Sequence, residues 1–300
     1  MAHRDGPVAA VEAGGTKVVC AVGHTWQEVR AGEKLVVPTG TPEATVSAVA
    51  AWLRERCPDG PAGVGVASFG PLDLARGCVG PTPKPGWAGF DWPSALRRHF
   101  PRSAVSVDTD TNGAALAEWL WGAGEGLDVV VYLTVGTGIG GGAVIGGRLL
   151  HGLVHPEIGH MRIPHDPGDP FEGTCPFHGD CLEGLASGPA VQARWGVPGD
   201  RLLPDHPAWA LESRYLAVAV ANLTLTLSPQ VIVMGGGVMA VPGLLSSVQS
   251  GVRSVLAGYI SSDLLAERID RYVVAPGLGP DSGVLGAFAL GQAALGRLAP

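Results

Sequence analysis

Val8-Ala-Ala-Val-Glu12-Ala-Gly14-Gly15-Thr16-Lys17-Val18-Val19-Cys20-Ala21-Val22 reads as a strand, a glycine turn and a second strand. Val8, Val11, Val18, Val19 and Val22 favour extended backbone. Gly14-Gly15 permits a tight reversal. The same arrangement recurs mid-chain: Val129 to Val135, then Gly136-Thr137-Gly138-Ile139-Gly140, then Gly141 to Ile145. Two distant hairpins of one design suggest two lobes on one plan. Around them helices and strands alternate. Thr41 can cap a helix over 42–57, with Pro42 first and Val46, Val49, Ala50 and Leu53 on one face. Gly63 to Ser68 is a short buried strand ended by Gly70-Pro71, and Ala104 to Val107 is a strand running into Asp108-Thr109-Asp110-Thr111-Asn112 and a helix to about Trp121. Helices are expected near 189–195, over 207–227 until Ser228-Pro229, over 242–257 and over 282–297, with strands at Val231 to Met234 and Tyr272 to Val274. Residues 80–92 and 151–188 read as irregular. The pattern is α/β or mixed α+β.

At 300 residues the chain suits two domains or two lobes of one fold. With 46% hydrophobic and 16% charged residues it can bury a large core, so wholesale disorder is excluded. A net charge of −7 argues against a partner bound by neutralising phosphates, so no nucleic acid is expected. Residues 129–147 and 215–252 are uncharged but broken by Gly, Pro or polar residues, unlike a membrane span. No secretory leader is visible, and five sparse cysteines do not resemble a disulfide framework, so a reduced, cytoplasmic location is expected.

Three glycine-rich turns follow strands: Gly14-Gly15-Thr16-Lys17, Gly136 to Gly142 and Gly235-Gly236-Gly237. Glycine lets backbone N–H groups crowd an anion, and threonine adds a hydroxyl donor. Each turn alone could be a plain hairpin; together they suggest phosphate binding. No Walker A sequence occurs, and Gly136-x-Gly138-x-Gly140 lacks the Rossmann spacing and runs into a strand. His160, Cys175, His178 and Cys181 lie within 22 residues, and two thiolates with two imidazoles make a closed tetrahedral set suited to structural Zn²⁺. His151, His155 and His165 compete for the fourth place.

Asp108 and Asp110 stand where a strand meets a helix, a position that suits a carboxylate accepting a proton from a substrate hydroxyl. Helix capping accounts for such residues equally well. Glu157 and Glu183 flank the metal segment as acceptors for sugar hydroxyls or as solvated charge. Trp87, with Phe90 and Trp92 nearby, could cover an apolar sugar face or be core packing.

These motifs together resemble the ROK group of sugar kinases, within the sugar kinase/actin/Hsp70 ATPase superfamily, and most of all its fructokinases. The similarity is carried by Glu12-Ala-Gly-Gly-Thr-Lys17, Thr82-Pro-Lys-Pro-Gly-Trp87, Asp108-Thr-Asp-Thr-Asn112, Thr134-Val-Gly-Thr-Gly138, and above all His155-Pro-Glu-Ile-Gly-His160 through Cys175-Pro-Phe-His-Gly-Asp-Cys-Leu-Glu183 to Gly188. It implies an actin-like, ribonuclease H-like α/β fold of two domains closing on a cleft. The smaller would be 1–117, with a closing helix of about 290–300 packing back on it; the larger would be 118–289, with a zinc loop at 155–183. Gly14, Gly15, Thr16 and Lys17 would form the first phosphate loop and Thr134, Gly136, Thr137 and Gly138 the second, while Gly235, Gly236, Gly237 and Pro189 would approach the nucleotide. Asp110 would be the catalytic base. Glu157, His160 and Glu183 would line the sugar, with Thr109, Asp110, Asn112, Gly86 and Trp87 also at that site, and His160, Cys175, His178 and Cys181 would hold zinc. The implied reaction is ATP-dependent phosphorylation of a hexose with Mg²⁺, at the 6-hydroxyl of fructose, by a homodimer. Glucose, mannose or N-acetylmannosamine are the alternative substrates, and a sugar-sensing regulator is the remote one; its added N-terminal helix-turn-helix finds no room before Glu12. Glu12 replaces the superfamily's usual Asp beside Mg²⁺, and Thr109 replaces the Asn of glucose-type members.

Overall fold

The computed structural model describes residues 5–82 and 84–298; Pro83 of the proline-rich loop, residues 1–4 and residues 299–300 lie outside the described residues. The chain forms two compact units: Met1–Leu120 with Gly147–Pro156 and Pro280–Pro300, and Trp121–Gly146 with Glu157–Gly279.

The first unit begins with the antiparallel hairpin β1 (Val8–Ala13) and β2 (Lys17–Gly23), followed by α1 (Trp26–Ala31), β3 (Leu35–Pro38), α2 (Pro42–Arg56), β4 (Gly63–Ser68), the short hairpin β5 (Leu72–Asp73) and β6 (Cys78–Val79), α3 (Trp92–His99), β7 (Ala104–Thr109) and α4 (Asp110–Trp121). Its sheet runs β3-β2-β1-β4-β7, antiparallel at the hairpin side and parallel from β1 through β4 to β7. All six residues of β4 are buried, as suits a parallel strand covered on both faces. Thr41 caps α2 by accepting from Ala44 N, with Pro42 in the first turn. Val46, Val49 and Leu53 of α2 join Ala9, Val11 and Ala13 of β1, and Trp92 and Leu96 of α3, in one apolar core.

Trp87 belongs to that core. It is 1% exposed, its indole N–H donates to Gly40 O at 2.9 Å, and its ring lies 5.0–5.4 Å from Phe69, Phe90 and Trp92. This corrects the expected sugar-lining role: the ring has no face left to offer, because covering the sheet removes more apolar area from water than an exposed loop position would. Helix α3 was not foreseen either, although Asp91 accepting from Ser94 N, with Pro93 in the first turn, is a legible start signal.

The second unit repeats the plan. Strands β8 (Val129–Val135) and β9 (Ile139–Ile145) form an antiparallel hairpin, and β8 runs parallel to β10 (Val231–Gly235), which runs parallel to β11 (Val273–Val274). Its helices are α5 (Leu182–Ala186), α6 (Gly188–Trp195), α7 (Pro207–Leu227), α8 (Leu244–Leu256) and α9 (Asp263–Ala266). Helix α7 is mostly buried and ends where Ser228 turns left-handed before Pro229.

Helix α10 (Ser282–Ala294) returns to the first unit and packs on β1 and β4. The segment joins that unit from Pro280 rather than from about residue 290, because the buried run from Val284 to Gln292 is one continuous apolar helix. Gly65 of β4 sits so close to the Ala287 carbonyl that no side chain fits there. Strand alternation turns Val8, Ala10 and Glu12 towards α10, since Ala9, Val11 and Ala13 face α2.

Candidate active site

In the first unit, β1 delivers Glu12 just before the turn at Gly14, which is closed by Gly14 N donating to Lys17 O at 3.0 Å and buttressed by Thr39 Oγ1 donating to Gly14 O at 2.7 Å. Thr16 and Lys17 are exposed at its tip. The Glu12 carboxylate is pushed up to about 7, first by burial and then by the charge of Asp110; Lys17 acts in the opposite sense and Asp281 adds to the rise. Gly283 at the start of α10 stands against this carboxylate, and any side chain there would collide with it. That space accommodates the length of the Glu side chain. A buried carboxylate with a second acidic charge nearby is an acceptor set short of positive charge, which fits a hydrated divalent cation.

Asp110 opens α4, half-buried, with Oδ1 accepting from Thr111 N at 2.9 Å. Its neighbours are committed elsewhere. Thr109 is buried and caps α4, its Oγ1 accepting from Asn112 N at 3.1 Å. Asn112 is fully buried and donates from Nδ2 to Asp108 Oδ1 at 2.9 Å. Asp108 is buried and bonds His151 Nε2 at 2.8 Å, a contact that holds the imidazole above its ordinary range. Thr109 braces the helix start through its hydroxyl and Asn112 through Nδ2 on Asp108, while Asn112 Oδ1 is buried with no hydrogen-bond partner among the described residues. His151, weighed from the sequence only as a metal ligand, is the buttress of Asp108; at 43 positions apart no local signal marks the pair. Gly86 adopts a left-handed turn beside Pro42.

In the second unit two of the three glycine turns come together. Gly136 N donates to Gly138 O at 2.9 Å, and Gly188 N, at the start of α6, donates to Gly136 O at 2.7 Å. Gly237 N lies beside Gly136, and Gly236 packs on the backbone of Val135. Pro189 is exposed on the first turn of α6, Thr137 is exposed, and Thr134 is half-buried on β8. Backbone N–H groups and a helix start are thus gathered at one place, an arrangement that suits phosphate oxygens.

The same unit holds the metal-ligand group. Ligand atoms of His160, Cys175, His178 and Cys181 all lie within 4.8 Å of one another. Cys175 Sγ is 3.7 Å from His160 Nδ1 and 3.6 Å from His178 Nδ1, and Cys181 Sγ is 3.6 Å from His160 Nδ1. Two competing histidines are occupied, His151 by Asp108 and His155 Nε2 by Leu72 N at 2.9 Å, while His165 lies 3.7 Å from carboxylate oxygens of Asp169 and Asp180. Asp169 further anchors the irregular segment through Arg194 at 3.2 Å and the Tyr215 hydroxyl at 2.7 Å. Glu157 is exposed, one step before the short helical turn Ile158–His160, whereas Glu183 Oε2 accepts from Ile139 N at 2.9 Å.

Comparison with known proteins agrees with this architecture. A ROK hexokinase from Thermus thermophilus superposes with a TM-score of 0.77 at 29% identity, covering 97% of this chain and 100% of the other. A ROK family glucokinase from Streptomyces griseus, solved with glucose and AMPPNP, also gives 0.77, at 26% identity over 96% of this chain and 100% of that one. The fold is thus the actin-like α/β ATPase fold of two domains. The ROK family profile matches residues 8–294, and the chain belongs to the ROK family. A fructokinase from Zymomonas mobilis is 42% identical over 295 residues, 95% of this chain and 96% of the relative.

Proposed function

We propose that this chain is an ATP-dependent fructokinase that transfers the γ-phosphoryl of ATP to the 6-hydroxyl of fructose, giving fructose 6-phosphate and ADP. The observation that carries the reading is the almost end-to-end 42% identity with the Zymomonas fructokinase. The Thr109 hydroxyl, spent on capping α4, removes a hydroxyl-recognising amide from beside Asp110 and fits a sugar other than glucose.

In this reading Asp110 accepts the proton of the 6-hydroxyl as that oxygen bonds to the γ-phosphorus and the β–γ bridging oxygen departs with ADP. Gly14 to Lys17 and Thr134 to Gly138 hold phosphate oxygens through backbone N–H and hydroxyl groups, and Gly235 to Gly237 with Pro189 hold the nucleoside. Glu12 would hold the water shell of Mg²⁺, and that ion would supply charge neutralisation at the phosphates. Glu157, His160 and Glu183 contact the sugar, with His160 using the ring nitrogen that is not turned to the thiols. Cys175, Cys181, His160 and His178 would hold Zn²⁺: ligand atoms at the usual zinc distances of about 2.3 Å for sulfur and 2.0–2.1 Å for nitrogen stand about 3.6 Å apart in a tetrahedral set, against the observed 3.6–3.7 Å. The homodimer and the cytoplasmic location belong to the same proposal. Cys20, Cys57 and Cys78 are free thiols, and among the described residues no helix is long and apolar enough to cross a membrane.

A coupled ADP-release assay with Mg-ATP and fructose, glucose, mannose or N-acetylmannosamine tests the reading. Fructose should give the highest kcat/KM; a different best sugar removes the substrate assignment and leaves the kinase, while sugar-independent ADP release removes both. Elemental analysis of the purified chain should find about one zinc per chain, and stripping it should raise proteolytic cleavage within 155–183. A fully active, metal-free preparation would reject the zinc assignment.

A further inference from the structure

We propose that the Cys/His metal centre is a clasp on the glycine turn that receives the ATP phosphates, with Glu183 as the positioning residue that joins the two; the inference rests on the kinase reading above. The connection converges on one residue. Ile139 starts β9 immediately after the Gly136–Gly138 turn, and its N–H donates to Glu183 Oε2 at 2.9 Å. Its carbonyl is met by Gly159, packed so tightly that a side chain at 159 would overlap it.

Each of these two grips is next to a metal ligand. Glu183 lies two residues beyond Cys181, and Gly159 immediately precedes His160. Cys181 Sγ and His160 Nδ1 stand 3.6 Å apart, the separation of two ligands on one ion. The segments also pair directly, with Leu182 N donating to Met161 O at 3.0 Å, and Ile158 packs on Gly141 further along β9. An ion that ties His160 to Cys181 therefore fixes the spacing of the two groups holding Ile139. The grip extends into the turn itself: a Cβ at Gly138 would lie 2.7 Å from Glu183 Oε2, so the carboxylate occupies the space beside the phosphate-binding backbone. A charged acceptor on a backbone amide is among the stronger hydrogen bonds, and it sets the direction in which the adjoining peptides point.

The assignment separates this role of Glu183 from contact with the sugar. A residue that only lines the sugar changes fructose binding and leaves sugar-free nucleotide binding alone. A positioning residue changes nucleotide binding with no sugar present.

The test measures AMPPNP binding by calorimetry, with Mg²⁺ and without sugar, and amide hydrogen exchange over residues 136–141. Chelating the metal from the wild-type chain should speed exchange there and weaken AMPPNP by about tenfold. Glu183→Ala, still carrying its metal, should do the same, and chelation should then add less than about threefold. Glu183→Gln keeps an acceptor oxygen at the same reach and should stay within about threefold of wild type. Unchanged AMPPNP affinity and exchange after chelation, or Gln as damaging as Ala, overturns the clasp. If the metal-loaded wild-type chain binds no AMPPNP, the kinase reading falls and the nucleotide half of the inference with it, while the exchange response still decides whether the metal holds the turn.

Discussion

Asp110→Asn will leave fructose binding within a few-fold of wild type and lower kcat by about 10²–10⁴-fold, the range expected for removing a general base. Asn has the shape of Asp, and its side-chain oxygen can still accept from Thr111 N, as Asp110 does at 2.9 Å. The start of α4 is also secured independently by Thr109 and by the Asp108–Asn112–His151 set. The substitution therefore removes a charge and little else. Steady-state kinetics with a separate sugar-binding titration checks it, and near-normal turnover would sink the base assignment. A second readout is internal: the charge of Asp110 is one cause of the raised Glu12 pKa, so Asp110→Asn should bring the Glu12 titration down towards the ordinary carboxylate range.

The second large effect is a gain and a loss in one variant. Glu12→Gln should abolish most Mg-ATP-dependent turnover, by about 10²-fold or more if the carboxylate holds the hydrated cation, and should stabilise the metal-free chain. Glu12 has a folded pKa of about 7 against an ordinary 4.5, raised chiefly by burial. Between those values the folded state binds more protons than the unfolded one, so stability declines as pH rises through the window. Below about pH 4.5 the carboxyl is neutral in both states and Gln gains nothing. Above pH 7 the full penalty of the buried charge is present, up to roughly 3 kcal/mol. Thermal melts of metal-free wild type and Glu12→Gln should coincide near pH 4.5 and separate by several degrees at pH 8. An equal difference at both pH values would mean that the gain comes from packing and not from charge.

Much of the fold is readable because its determinants are local. Thr41-Pro42, Ser228-Pro229 and the spacing of Val46, Val49 and Leu53 each act within a few residues. The metal group is readable for the same reason, since three of its ligands sit within seven residues and chemistry restricts which side chains combine. The misreadings concern direction and distance. A tryptophan in a Pro- and Gly-rich loop carries no periodicity to say which way it faces, and Trp87 turned inward. Thr109 has a side chain suited both to a ligand and to a helix start, and the buried strand end selected the second use. His151 on Asp108 and Glu183 on Ile139 join residues 43 and 44 positions apart, so only the folded chain brings them into register.

The placement of α10 has a consequence for how the protein is made. Strands β1 and β4 are synthesised before the second unit, yet the helix that covers their Val8–Glu12 face is not translated until after the whole of it. Throughout that interval the apolar edge of the growing chain has no partner of its own, which is the state in which nascent proteins recruit chaperones or aggregate. Gly65, with no room for a side chain under Ala287, makes the late arrival a close fit that is completed only once α10 has been made. The N-terminal half is thus committed early in sequence and settled last in time.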